Sequence, residues 1–163
     1  QASVRSGLEF DTDAEAHIAT LKHLGAKKIV IASRWNEMVN EGLKAYLADG
    51  GIEVLACRAR ARTLAQNKAA QAASDHELAL SLGREVLRAN PQAQALLLPG
   101  GLWYAIHAVP VLEQEFGVPV LMNILSITCN ALRSWPARVE ALAPRPDPGW
   151  GRVLSSAYVQ QEG

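Results

Sequence analysis

Cysteine is scarce in this chain of 163 residues, which holds two, Cys57 and Cys129. Two isolated thiols do not make a disulfide framework. No apolar run approaches the roughly 20 residues that a membrane span requires, and no secretory h-region opens the chain. These absences point to the cytoplasm. An excess of either charge is also missing, because Lys+Arg and Asp+Glu stand at 16 each. Such a balance leaves no electrostatic footprint for nucleic acid or for an anionic membrane. The histidines, His17, His23, His76 and His107, include no H-E-x-x-H pair or other zinc spacing, so no metal site is expected. Phosphate signatures are lacking too: no Gly-Lys-Ser/Thr follows a glycine turn, and the G-x-G-x-x-G spacing is absent. Gln1 stands first without a Met, as in a tagged, processed or fragmentary chain.

What is present is enough length for one domain with a sizeable core, at 49% hydrophobic and 20% charged residues. Asp13 suits the cap of a helix in which Ile18, Leu21 and Leu24 recur at helical spacing, and Gly25 suits its end. On that helix His17 and His23 read as residues of a solvated face. "KKIVIAS" (27–33) is a short β-branched strand, "RWNEMVNEGLKAYLADGG" an amphipathic helix and "IEVLACR" (52–58) a second strand. The stretch 59–74 reads as a long loop, and loops of that length in compact domains are often functional. Asp75 begins a further helix. "AQALLLP" (93–99) is the third strand, followed by a helix whose clearest part starts near Pro110. "VPVLMN" (118–123) is the fourth strand, and Ser126 suits the cap of a last helix. The residues from 136 on read as an irregular, Pro-rich tail that docks on a neighbour or frays.

Strands alternate with helices, and the strand runs are apolar almost throughout. This predicts an α/β fold, a four-stranded parallel sheet flanked by helices. The expected division is an α/β unit over 1–125 and a final helix with irregular tail over 126–163. Ligands in such sheets bind beyond the carboxyl ends of the strands, so the loops 33–37, 58–67, 99–104 and 122–128 should line the site.

Those loops carry few reactive groups. In "LLLPGG" (96–101), Gly100 and Gly101 lack a Cβ, so a ligand could approach the main chain closely, near a helix start that favours anions. The same residues also make an ordinary tight turn. After the first strand, Arg34 could hold a carboxylate bidentately or lie on the surface beside a helix cap at Ser33 or Asn36, and Trp35 could wall a pocket. After the fourth, Asn123 and Ser126 complete an anion cradle, and Cys129 is a thiolate candidate if a helix dipole lowers its pKa; buried free cysteines are more often small apolar residues. His107 follows the glycine turn and could face the site as a general base, or be a surface or structural histidine, the more common case. Arg58, Arg60 and Arg62 alternate in "CRARAR", as on a solvated strand end or around a small anion.

The order of these pieces resembles a known family. "LGAKKIVIASRWNEMVNEGLKAYLADGGIEVL" is similar to the segment opening the second half of arylmalonate decarboxylases and maleate isomerases, in the aspartate/glutamate racemase superfamily. "ALLLPGG", "VPVLEQEFGVPVL" and "NALRSW" continue the match in order, and "PDPGWGR" resembles a tail motif of the decarboxylases. The likeness covers most of the chain. It implies one half of a two-domain fold, with the active site between two similar α/β halves and no metal or organic cofactor. Family catalysis uses cysteine thiols, and the decarboxylases keep the one of the second half; N–H groups and hydroxyls stabilise an enediolate. Aligned without gaps, that cysteine position falls on Gly100, preceded by Pro99, and neither side chain can carry a proton. A family tyrosine falls on Trp35. An asparagine used by the maleate isomerases corresponds to Asn67.

The resemblance implies an enzyme of the lyase or isomerase type, acting on a small carboxylate or dicarboxylate. It would work with a first-half domain on the same or another chain, as a homo- or hetero-oligomer. His107, Tyr104 and Cys129 are the candidate proton carriers, and Trp35, Asn67, Gly100, Gly101, Asn123 and Ser126 the candidate substrate-binding residues. A non-catalytic carboxylate-binding or structural subunit is the alternative. A flavodoxin-like nucleotide-binding domain is a third reading, without a fingerprint to support it.

Overall fold

A computed structural model of the protein describes residues 12–70, 72–134 and 151–159. The chain runs α1 (Asp13–His23), β1 (Lys28–Ser33), α2 (Glu37–Asp49), β2 (Glu53–Ala59), α3 (Leu64–Ala69), α4 (Ala72–Ala89), β3 (Ala95–Leu98), α5 (Ala108–Phe116), β4 (Val120–Met122), α6 (Asn123–Ser134) and α7 (Arg152–Val159). The four strands form one parallel sheet in the order β2-β1-β3-β4. The expected α/β class and four-stranded parallel sheet are thus what the chain adopts.

The order follows from the apolar pattern. β1, β3 and β4 are buried along nearly their whole length, whereas β2 is half-exposed. A strand that must be covered on both faces belongs inside the helical layers, and the more polar β2 takes an edge. Ile29, Val30, Ile31, Leu96, Leu97, Leu98 and Leu121 are completely buried in the centre. Each such side chain stabilises the fold by about 1.5–3 kcal/mol relative to exposure. Helices α4 and α5 pack on one another, and α1 packs on α2 and α6.

Local signals place the helices slightly differently from the sequence reading. Thr12, not Asp13, caps α1: its hydroxyl accepts from the Glu15 N–H at 3.2 Å, and the Glu15 carboxylate accepts from the Thr12 N–H at 3.0 Å. Asp13 is thereby released for other contacts. Asn36 caps α2 through the Val39 N–H at 3.0 Å. The expected loop 59–74 contains α3, capped reciprocally by Thr63 and Gln66. α5 starts at Ala108, with Pro110 still in the first turn, where its missing N–H costs nothing. α6 begins at Asn123, directly at the end of β4, and so runs across the expected 125/126 division.

The expected irregular tail contains a helix, α7, packed on α6 and β4. Its anchor is buried Glu113, whose carboxylate accepts from the Val120 and Arg152 N–H groups, each at 2.9 Å. Burial pushes the Glu113 pKa up, opposed by those two hydrogen bonds and by Arg152. The Pro-rich stretch 135–150 lies outside the described residues.

Candidate functional site

In the strand order β2-β1-β3-β4 the chain leaves β1 to one side and returns on the other, so the carboxyl ends of β1 and β3 flank a topological switch point. Crevices form there because the connections diverge to opposite faces. A cleft of about 280 Å³ opens at this place. Arg34 and Trp35 line it from the loop after β1, Leu64 and Asn67 from α3, Gly100 to Leu102 from the loop after β3, and Asn123 from the start of α6. Asp13, Ala14 and His17 of α1 and Leu43 of α2 complete the walls.

The loop after β1 is held by a short circuit. The Ser33 hydroxyl donates to Asn40 Oδ1 at 2.7 Å and accepts from the Trp35 N–H at 3.0 Å, while Asn40 Nδ2 donates to the Trp35 carbonyl at 3.1 Å. This places the Trp35 ring beside Gly100. A Cβ on Gly100 would lie 3.5 Å from Trp35 Nε1, an ordinary contact, but Gly100 has φ +112°, which side-chain-bearing residues rarely adopt.

The floor is a second circuit. Asn123 Oδ1 accepts the Gly100 N–H at 2.9 Å, which fixes the orientation of that amide. Because Oδ1 only accepts, His17 Nε2, at 3.2 Å, carries the proton toward it. His17 Nδ1 is then the acceptor, and the Ser126 hydroxyl donates to it at 2.8 Å. Asn123 Nδ2 donates to the Asp13 carboxylate. His17 is buried, at 2% exposure, rather than on a solvated face. Burial pushes its pKa down to about 4, against the opposing pulls of the Asn123 hydrogen bond and the Asp13 charge. The His17 side chain is therefore neutral at physiological pH. His23, the other histidine expected on that face, is partly buried and contacts the Ser156 carbonyl at 3.2 Å.

Behind the cleft lies an ionic knot. Arg34 Nη1 donates to both oxygens of Asp75, at 3.1 and 3.0 Å, and Arg62 Nη1 donates to the same carboxylate at 2.8 Å. The Tyr104 N–H donates to it at 3.1 Å, and the Trp103 indole N–H donates to the Asp75 carbonyl at 3.1 Å. The Arg34 guanidinium carbon stands 5.0 Å from the Trp103 ring centroid. Arg34 is buried, not on the surface, and Asp75 lies in the first turn of α4 rather than at its start. Of the three alternating arginines, Arg58 makes an exposed ion pair with Glu85 at 2.9 Å, Arg60 is exposed, and Arg62 turns inward.

The sequence-predicted residues separate clearly. Trp35, Asn67, Gly100, Gly101 and Asn123 come together on the cleft. Ser126 is buried beneath it, bonded to His17. The Tyr104 and His107 side chains are exposed and do not line it. Cys129 is completely buried in the core, where desolvation pushes its thiol pKa up. Sequence reasoning missed Asp13, His17 and Asp75. The spacing 13–17–20 was a usable signal, since it puts Asp13, His17 and Thr20 on one stripe of α1. Among the described residues no group of three or more His, Cys, Asp or Glu is placed to hold a metal ion, and no helix is long and apolar enough to cross a membrane.

The model of the arylmalonate decarboxylase family matches residues 1–142. The chain belongs to the arylmalonate decarboxylase family. It is 27% identical over 153 residues to the arylmalonate decarboxylase of Bordetella bronchiseptica, covering 93% of this chain and 60% of that protein. The solved structure of an unliganded arylmalonate decarboxylase superposes with a TM-score of 0.73 at 26% identity, over 94% of this chain and 62% of that one. A maleate isomerase from Pseudomonas putida S16, solved with maleate, shares the fold with a TM-score of 0.71 at 22% identity, over 97% and 59%. This arylmalonate decarboxylase family member thus spans about 60% of the curated relative's length.

Proposed function

We infer that this chain is part of a cofactor-independent decarboxylase or isomerase acting on a small carboxylate or dicarboxylate through an enediolate-like intermediate, without the thiol usual in its half. The observation that carries the reading is the cleft at the β1/β3 switch point, lined by the Gly100–Gly101 turn, in a chain of the arylmalonate decarboxylase family. The Gly100 N–H is already taken by Asn123, so main-chain stabilisation of an enediolate falls to Gly101 and Leu102, whose N–H groups bond to nothing among the described residues. Pro99 and Gly100 carry no acid, base or nucleophile, and the φ of Gly100 disfavours a thiol there. Cys129 is sealed in the core, so the proton carrier then comes from Tyr104 or His107, or from a complementary half-domain on the same or another chain.

An apolar rim supports such a partner. Met38, Leu64, Leu102, Tyr104, Ile106 and Ile124 are exposed, and all belong to segments following strand ends on the cleft side. Residues 126–163 would contribute to the same contact, and the assembly would be a homo- or hetero-oligomer. The test is to assay decarboxylation of phenylmalonate and isomerisation of maleate, with Tyr104→Phe, His107→Gln and Cys129→Ala made singly. Loss of turnover in Tyr104→Phe or His107→Gln identifies the carrier, and Cys129→Ala should be without effect. Full activity in all three assigns it to the partner. Saturable binding without any turnover, with the complementary half-domain present, refutes the enzyme reading and supports the second one, a carboxylate-binding subunit, which the Pro99–Gly100 sequence favours.

A further inference from the structure

Arg34 is 3% exposed, yet part of its guanidinium is left unpaired. A guanidinium offers Nη1, on the side of Cδ, and a parallel pair of N–H bonds from Nε and Nη2 on the other side. That pair matches the two oxygens of a carboxylate. In Arg34, Nη1 makes the contacts to Asp75. Nε is buried with no hydrogen-bond partner, and Nη2 has none among the described residues. Asp75 and Trp103 do not line the cleft, but Arg34 does. The guanidinium is therefore held at one nitrogen and over one ring face, with Nε and Nη2 left unpaired among the described residues.

A further observation points to an anion at this edge. Arg34 and Arg62 share the single carboxylate of Asp75, which leaves one net positive charge in the knot. Asn67 Oδ1, on the cleft wall contributed by α3, is also buried without a partner; as an acceptor it calls for a donor such as a ligand hydroxyl, not for the carboxylate itself. A buried donor on a charged group is costly when unpaired, and a bound anion supplies both the acceptor and the missing charge.

We propose that Arg34 anchors the carboxylate of the substrate through its Nε/Nη2 edge, with Asp75 as the positioning residue that keeps the fork preorganised. This rests on the reading of the cleft as a carboxylate site and adds the group that recognises the carboxylate. The two-pronged contact discriminates against neutral amides of the same shape, which cannot accept two charge-assisted hydrogen bonds.

The test is a titration of the chain with phenylmalonate and with maleate, followed by calorimetry and by the arginine Nε–H resonances in ¹⁵N NMR. One Nε–H signal, identified by its absence in Arg34→Lys, should move on saturation. Arg34→Lys keeps the charge but loses the fork, and should weaken binding by about ten- to a hundredfold, as expected for losing charge-assisted hydrogen bonds. The diamide of phenylmalonate should not compete. If Arg34→Lys fails to fold, the Arg34 Nε–H signal is assigned in the wild type through its side-chain correlations to the Arg34 backbone, and its movement alone decides. Saturable carboxylate binding with the Arg34 signal unmoved overturns this proposal and leaves the carboxylate reading of the cleft intact. No saturable binding of either compound by the wild-type chain overturns both. Tighter binding of inorganic phosphate than of either dicarboxylate overturns the assignment to carboxylate.

Discussion

Lowering the pH should dismantle the cleft floor before it unfolds the sheet, because the neutral imidazole of His17 is part of that floor. The His17 pKa lies at about 4 in the folded chain against 6.5 for the free side chain. Above pH 6.5 both states hold it neutral. Between these values the unfolded chain binds the extra proton and the folded chain does not, so stability falls as pH falls. The shift corresponds to a full loss of about 3 kcal/mol below pH 4, at about 1.4 kcal/mol per pKa unit. At pH 5 about 2 kcal/mol of it is already lost, because the unfolded side chain is nearly all protonated there and the folded one hardly at all. Glu113 acts in the opposite sense: its pKa is raised by burial, so its contribution is present below the ordinary carboxyl value and is lost as pH rises through the raised one. A comparison with His17→Gln removes that overlap. Urea unfolding of both proteins at pH 7 and pH 5 should show the wild type losing about 2 kcal/mol more than the variant between the two conditions. Parallel losses in the two proteins, or an NMR titration placing His17 at or above 6.5, would refute the argument.

Asp75→Asn removes the one negative charge from a buried knot with two arginines, and should destabilise the chain by about 3–5 kcal/mol, read as a shift of the urea midpoint. Cys129 is completely buried and its pKa is raised by desolvation, so it should react with a thiol reagent only on unfolding, after half-buried Cys57; rapid native labelling of Cys129 would contradict its placement. Gly151 has φ +89°, and a Cβ there would come within 2.9 Å of Val109 Cγ1. Gly151→Ala should cost about 1–3 kcal/mol and loosen α7, detected as faster proteolysis of the C-terminal segment; an unchanged protease profile counts against the docking of that helix.

The sheet was legible because its strands announce themselves. "KKIVIAS" and "AQALLLP" are apolar along their length, and a strand covered on both faces has no other composition available. The switch-point loops followed from topology alone, and with them Trp35, Gly100, Gly101 and Asn123 as neighbours, whereas Asn67 was singled out through the family resemblance. α3 was missed because none of its residues is buried, so no apolar stripe marks it. His17 was misplaced for a different reason. Sequence periodicity weighted Ile18 and Leu24, which the fold leaves half-buried, while the stripe that meets α6 is Ala16, His17, Thr20 and Leu21. Polar residues on such a stripe look solvated until their partners are known. Those of His17, Asn123 and Ser126, lie 106 and 109 residues away. Arg34 raised the same difficulty: its carboxylate partner belongs to the chain itself, 41 residues on, and single-sequence spacing contains no trace of that pairing.

The Asp75 knot also bears on engineering this scaffold. One side chain on α4 reaches the loops after β1, β2 and β3, through Arg34, Arg62 and Tyr104. Loops at the ends of parallel strands are usually interchangeable parts, because each is anchored only to its own strand and helix. Here three of them share a single fastening. Transplanting any one from a homologue would strand the groups that the other two leave behind, so specificity in this cleft must be redesigned as a set of linked segments together with position 75.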